Sequence, residues 1–152
     1  MSTGPASTPP AGPEAKEEAA VLAAYGGMTA EQAKAYRQAS EKGTALERYA
    51  TLDALGQIRN DLTRLKKSGA IVRGGIGHHA QVTALDMTAK TPKASLSDCI
   101  DLSKYETYDT KAKKVIPLPT AQPLRYRATA TAERWDGRWM VTDINTQGGG
   151  SC

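Results

Sequence analysis

A lone carboxylate among small side chains is the most chemically suggestive feature of this 152-residue sequence. It comes from a hairpin. Residues 124–135 and 138–147 flank Asp136-Gly137, a dipeptide that favours a two-residue turn and so sets the register of the strands beside it. That register pairs Trp135 with Arg138, Arg134 with Trp139, Ala132 with Val141 and Ala130 with Asp143. Asp143 then shares an apolar face with Leu124, Tyr126, Val141 and the row Ala128, Ala130, Ala132. A carboxylate in a pocket left by small residues has its pKa pushed up and suits general acid–base work. Tyr126, on the same face, could donate a hydrogen bond to a developing oxyanion. A purely structural reading competes with this one, because a row of alanines also lets a helix approach a sheet closely and perturbed carboxylates occur in structural networks too.

Other candidate groups are weaker. His78 and His79 are the only histidines, and neighbours on a strand point to opposite faces, so they read as loop or strand-start residues rather than a metal site. No set of ligands with zinc spacing accompanies them, and neither metal nor cofactor is expected. Arg73-Gly-Gly-Ile-Gly77 is glycine-rich, but it leaves a helix and enters a strand, the reverse of a phosphate-binding loop, and reads as a connector. Asp98 and Asp101 flank Cys99 and are read as sharing one face, ranked below Asp143.

The elements that must position these groups follow from periodicity. Residues 1–15, opening MSTGPASTPPAGP, are too poor in apolar side chains to offset the entropy of ordering and read as a tail or tether, leaving 16–152 as one domain. A helix is expected from about Glu14, with Val21, Tyr25, Met28, Gln32, Tyr36 and Ala39 on one face, kinked at Gly26-Gly27 and ended by Lys42-Gly43. Thr44-Ala-Leu-Glu47 has the form of a capping box. It is expected to open a second helix, with Leu52, Leu55, Ile58, Leu62 and Leu65 inward, Lys66 and Lys67 in the last turn and Gly69 as the stop. After Gly77 the period changes, and 81–87 and 93–101 read as strands. The stretch 103–123 reads as an irregular connection with at most a short edge strand, since Val115-Ile-Pro-Leu-Pro119 contains prolines that cannot join a ladder. The last hairpin has one apolar face and one polar face, with Met140 and Ile144 as exceptions on the polar one, and the helices supply the cover for the apolar one. The expected class is α+β, in two layers, with N-terminal helices packed on a curved antiparallel sheet.

Bulk composition narrows the function only a little. The formal net charge is +4, the sequence pI about 9.1 and the mean hydropathy −0.49. No apolar run approaches the roughly 18 residues of a membrane span. A basic balance permits weak binding of anionic polymers through Arg125 and Arg127. No arginine-rich stripe interleaved with aromatics gives a firm nucleic-acid signal.

Several short segments together carry a resemblance: Ala-Val-Leu-Ala-Ala-Tyr25, Leu46-Glu-Arg-Tyr-Ala50 with Ala54-Leu55, Ser97-Asp-Cys99-Ile-Asp101, Asp136-Gly-Arg-Trp-Met-Val141 and the terminal Gly150-Ser-Cys152. In their order the chain resembles a group of small actinobacterial secreted proteins and lipoproteins, a branch of the nuclear transport factor 2-like, cone-shaped α+β fold. The resemblance implies a secreted or cell-envelope location, with any membrane attachment through a lipid anchor that this sequence does not carry. The usual leader and lipid-bearing cysteine of that group are not seen here. In an exported chain, two cysteines suggest one bridge, Cys99 to Cys152. The competing reading is a buried free Cys99 with a dangling terminal thiol. The implied function is a non-catalytic binding or accessory domain of the envelope, with an unknown protein or small-molecule ligand as partner. The alternative is a small cofactor-free enzyme using Asp143 and Tyr126, as catalytic members of the fold do proton-transfer chemistry in the cone.

Overall fold

The computed structural model describes residues 12–146 and 149–152; most of the stretch assigned to the tail, and the expected end of the last strand at residue 147, lie outside them. Three helices precede seven strands: α1 (Pro13–Gln38), α2 (Leu46–Tyr49), α3 (Leu52–Ser68), β1 (Ala70–Gly74), β2 (Ala80–Asp86), β3 (Lys93–Asp101), β4 (Tyr105–Asp109), β5 (Lys114–Ile116), β6 (Arg125–Trp135) and β7 (Arg138–Asn145). The class is α+β, as the periodicity predicts. The strands form a three-stranded sheet, β1-β4-β5, and a four-stranded sheet, β2-β3-β6-β7, with neighbouring strands antiparallel in both.

Helix α1 begins at Pro13, inside the stretch read as tail, where proline's fixed φ and missing N–H suit a first turn. It runs unbroken through Gly26-Gly27. Gly27 is there for packing: a Cβ at that position would lie 2.5 Å from the ring of Tyr49. The helix ends at Ala39, which takes the left-handed conformation and caps the carbonyls of Ala35 and Tyr36, four residues before Gly43.

The expected second helix is two. Thr44 does not cap it; its hydroxyl donates to the Glu41 carbonyl instead. Helix α2 lasts four residues, Ala50 turns extended, and α3 starts at Leu52. The break has a partner: Ala50 forms a bridge with Val141, and the Thr51 N–H donates to the Val141 carbonyl at 3.0 Å. Backbone groups on the exposed flank of β7 thereby gain partners from the chain between the two helices. From there α3 follows its pattern, burying Ala54, Ile58 and Leu62, with Lys66 and Lys67 in the last turn and Gly69 in the left-handed stop. Leu52, counted among the inward leucines, is instead exposed at the helix start.

The region 103–123 is more ordered than expected. Strand β4 pairs with β1, whose last two residues, Arg73 and Gly74, fall in the stretch expected to be a connector, and β5 adds a short third strand on its edge. Prolines 117, 119 and 123 all lie outside strands, where their missing N–H groups cost no ladder bond.

The hairpin turn is as the sequence indicates: Asp136 and Gly137 both have positive φ, and Trp135 pairs with Arg138, Arg134 with Trp139 and Ala132 with Val141. Beyond that the register differs. Thr142 is an extra residue, so Thr131 pairs with Asp143 and Ala130 with Ile144. A bulge of this kind moves every later side chain to the opposite face. The expected pairing of Ala130 with Asp143 is therefore wrong.

Candidate functional site

Two apolar clusters fill the space between helices and sheets. The larger joins Val21, Tyr25, Met28 and Tyr36 of α1 and Ile58 and Leu62 of α3 to Leu96, Ala130, Ala132, Trp139 and Val141 of the four-stranded sheet. The smaller consists of Ile100, Leu102 and Ala128, with Ile76, Leu118, Tyr105 and Tyr126 against it. A cavity of about 390 Å³ lies where they meet, with both clusters contributing to its wall. Its apolar lining includes Met28, Ile76, Ile100, Leu102, Leu118 and Ile144, and its polar lining includes Tyr25, Gln32, Tyr36, His78, Tyr105 and Tyr126.

The polar centre is a carboxylate just behind this wall. Asp98 is 1% exposed. It accepts from the Tyr25 hydroxyl at 2.6 Å and the His79 backbone N–H at 2.7 Å, and it bonds Nδ1 of His78 at 2.6 Å. Burial pushes the Asp98 carboxyl up. The hydrogen bonds from His78 and Tyr25, the His78 charge and the His79 N–H together outweigh burial and hold it below the ordinary carboxylate range. The same contact moves Tyr25 the other way: burial first, then the Asp98 bond and charge, push its phenol far above the usual value. The rings of Tyr25 and His78 meet edge to face at 6.2 Å.

A second cluster stands on the helical side. The Tyr36 hydroxyl donates to Asp61 at 2.5 Å and accepts from Gln32 at 3.0 Å, and Arg64 pairs with Asp61. Burial and the Asp61 charge raise the Tyr36 phenol.

Of the two pocket candidates, the structure brings one to the cavity. Tyr126 pairs with Ile100 on the inner face and lines the cavity; burial, then the charges of Tyr105, Asp98 and Asp61, raise its phenol. Asp143 does not line the cavity. The bulge at Thr142 turns it outward beside Thr131 and puts Ile144 into the wall in its place.

Asp98 and Asp101 do not share a face either. They are three apart on β3, so their side chains point to opposite sides. Asp98 is buried, while Asp101 caps the Ser103 N–H and pairs with Arg125. His78, read as a plain loop residue, is a wall residue of the cavity. Its signal in the sequence was the 20-residue return of β3 onto the chain that carries it, which only strand pairing reveals. Arg125 and Arg127, the candidates for polymer binding, lie on the outer face in bonds to Asp101 and Ser97.

Cys99 and Cys152 are joined, with Cα atoms 5.9 Å apart. Strand β7 stops opposite Thr129, and the chain end takes over the vacated edge of β6: the Arg127 N–H donates to the Gly150 carbonyl at 2.9 Å. Gly149 fits against that strand because it lacks a Cβ, which would sit 2.0 Å from the Arg127 carbonyl oxygen. The docked tail and Tyr126 line a shallower second cleft, about 410 Å³, beside the cavity.

No family model matches the chain, and no curated protein matches it. Among solved structures, it is similar to the intermembrane space region of the chloroplast protein ARC6, with a TM-score of 0.59 at 7% identity over 84% of this chain and 94% of that one. At that identity the likeness is one of fold: helices packed against antiparallel sheets. Among the described residues no helix is long and apolar enough to cross a membrane.

Proposed function

We propose that this chain is an exported, non-catalytic binding domain of the cell envelope, built on the nuclear transport factor 2-like cone, that holds a small apolar molecule between its helices and sheet. The observation that carries the reading is the cavity of about 390 Å³, within the range of small-molecule sites, where Met28, Ile76, Ile100, Leu102, Leu118 and Ile144 are set among polar groups. The Cys99–Cys152 bridge supports an oxidising location. The short motifs that resemble secreted actinobacterial proteins support the envelope.

The test is amide shift mapping of the labelled, oxidised protein with a panel of small apolar fragments. Shifts should gather at Tyr25, Ile76, Ile100, Tyr126 and Ile144. Shifts scattered over the outer face of β6, or none at the cavity with any fragment, would remove the basis for the reading.

A second reading, a cofactor-free acid–base enzyme, draws on one observation, the contact of His78 with Asp98. An imidazole held by a buried carboxylate is a general base in form. In that reading His78 and Tyr126 take the roles first given to Asp143 and Tyr126.

A further inference from the structure

We propose that the cavity selects neutral, apolar molecules that carry a hydroxyl group, and that this hydroxyl donates its hydrogen bond to Nε2 of His78. The inference rests on the ligand-binding reading above and names the class of ligand.

The argument starts from Asp98. An ionised carboxylate only accepts, so each of its three partners donates. Tyr25 gives its O–H, His79 its backbone N–H, and His78 the proton on Nδ1. A neutral imidazole with its proton on Nδ1 carries a lone pair on Nε2. The tautomer is thus set by the buried carboxylate behind the ring.

The ring stands between that carboxylate and the cavity. His78 and Tyr25 line the cavity and Asp98 does not. Nδ1 and Nε2 lie on different edges of an imidazole, so the edge bonded to Asp98 turns Nε2 away from it. Among the described residues no hydrogen bond to Nε2 is found; the only ring nitrogen of His78 with a partner is Nδ1. The same cavity wall carries Ile76, Ile100 and Leu102. A quarter of the His78 side chain is exposed, so a hydroxyl on the ligand takes the place of water at Nε2, and the gain is the modest net worth of one hydrogen bond made inside the cavity.

Charge settles the rest of the class. Two carboxylates stand at this site, Asp98 behind one wall and Asp61 in the other, and the one nearby guanidinium, Arg64, is paired with Asp61. No uncommitted cation is left among the lining residues to receive an anion. A phenol or alcohol satisfies Nε2 without bringing negative charge. The Tyr126 hydroxyl, with no protein partner among the described residues, stands ready for a second oxygen.

The test compares 2-naphthol with 2-methoxynaphthalene, which keeps the ring system and the oxygen but loses the donor. Binding is read by calorimetry and amide shift mapping at about pH 8. We expect 2-naphthol to shift the cavity residues and to bind about tenfold more tightly than the ether, the difference one hydrogen bond supplies. His78→Phe should shrink the difference below about threefold, and Asp143→Asn, outside the cavity, should leave it intact. Direct ¹⁵N spectra of the imidazole supply a readout without mutation: adding 2-naphthol should move the Nε2 signal and leave Nδ1 protonated. Equal affinities with shifts in the cavity would overturn the hydroxyl preference while leaving the binding site standing. If neither compound disturbs the cavity residues, both the preference and the binding reading fall.

Discussion

His78 and Asp98 are joined Nδ1 to Oδ2 at 2.6 Å across 20 residues of sequence, with the carboxylate sealed in the core and the imidazole set in the wall of the cavity. Removing the carboxylate leaves three donors facing a void. Asp98→Ala should therefore cost about 3 kcal/mol or more, since buried donors to a charged group lose both the bond and their solvation. Tyr25→Phe should cost less, about 1–2 kcal/mol. Urea melts of the two single variants and the double variant should show strong non-additivity; additive losses would mean that Tyr25 and Asp98 do not act as one unit.

The pH dependence follows from the direction of each shift. The folded Asp98 carboxyl lies below its ordinary value, so the stability it contributes is present above the unfolded carboxylate range, near pH 4, and is lost as pH falls through the lowered folded value. Tyr25 and Tyr36 are raised; their contribution is present below about pH 10, the unfolded phenol value, and fades as pH climbs above it. Absorbance at the phenolate wavelength should show two tyrosines that ionise only with the unfolding transition. Early, reversible ionisation of all six tyrosines would contradict the burial of these two.

Neighbouring glycines in α1 should respond differently to the same change. Gly26 has open space where a Cβ would be, so Gly26→Ala should stabilise by about 0.5–1 kcal/mol, the ordinary helical gain. At Gly27 the new methyl meets the Tyr49 ring, and the ring must swing out of its packing. Gly27→Ala should melt below Gly26→Ala; the reverse order would mean that Tyr49 is not seated against the helix.

The disulfide closes a long loop, with its cysteines 53 positions apart. Its removal by Cys152→Ser should lower stability by up to about 4 kcal/mol in the chain-entropy model. It should also loosen the segment lying along β6, seen as lost protection of the Arg127 amide. Alkylation of unfolded, unreduced protein should label neither sulfur.

Asp143→Asn is expected to be nearly silent, within about 0.5 kcal/mol in stability and without effect on binding of 2-naphthol. Tyr126→Phe should weaken that binding. The contrast follows from the bulge at Thr142, which turns one of these side chains out and leaves the other in the wall.

Sequence by itself determined most of what is local here. The α1 stripe through Val21, Tyr25, Met28 and Tyr36, the α3 stripe through Ile58 and Leu62, the Gly69 stop and the Asp136-Gly137 turn are short-range patterns. Each is written in side-chain period or backbone freedom within a few residues. Tertiary structure decided what depends on one element meeting another. One inserted residue in β7 leaves only a small mark in the hydrophobic pattern, Ile144 out of phase on the polar face, yet it exchanged Asp143 for Ile144 on the inner face. The capping box at Thr44 lost its hydroxyl to the Glu41 carbonyl, and the helix it was to open was broken where Ala50 and Thr51 meet Val141. Asp98 and His78 look unremarkable in their own segments and become a site only because β3 returns antiparallel to the chain beside β2. Periodicity reports which face of an element is oily; only packing decides which polar groups that face encloses, because the cost of burying them is settled by partners far away in sequence.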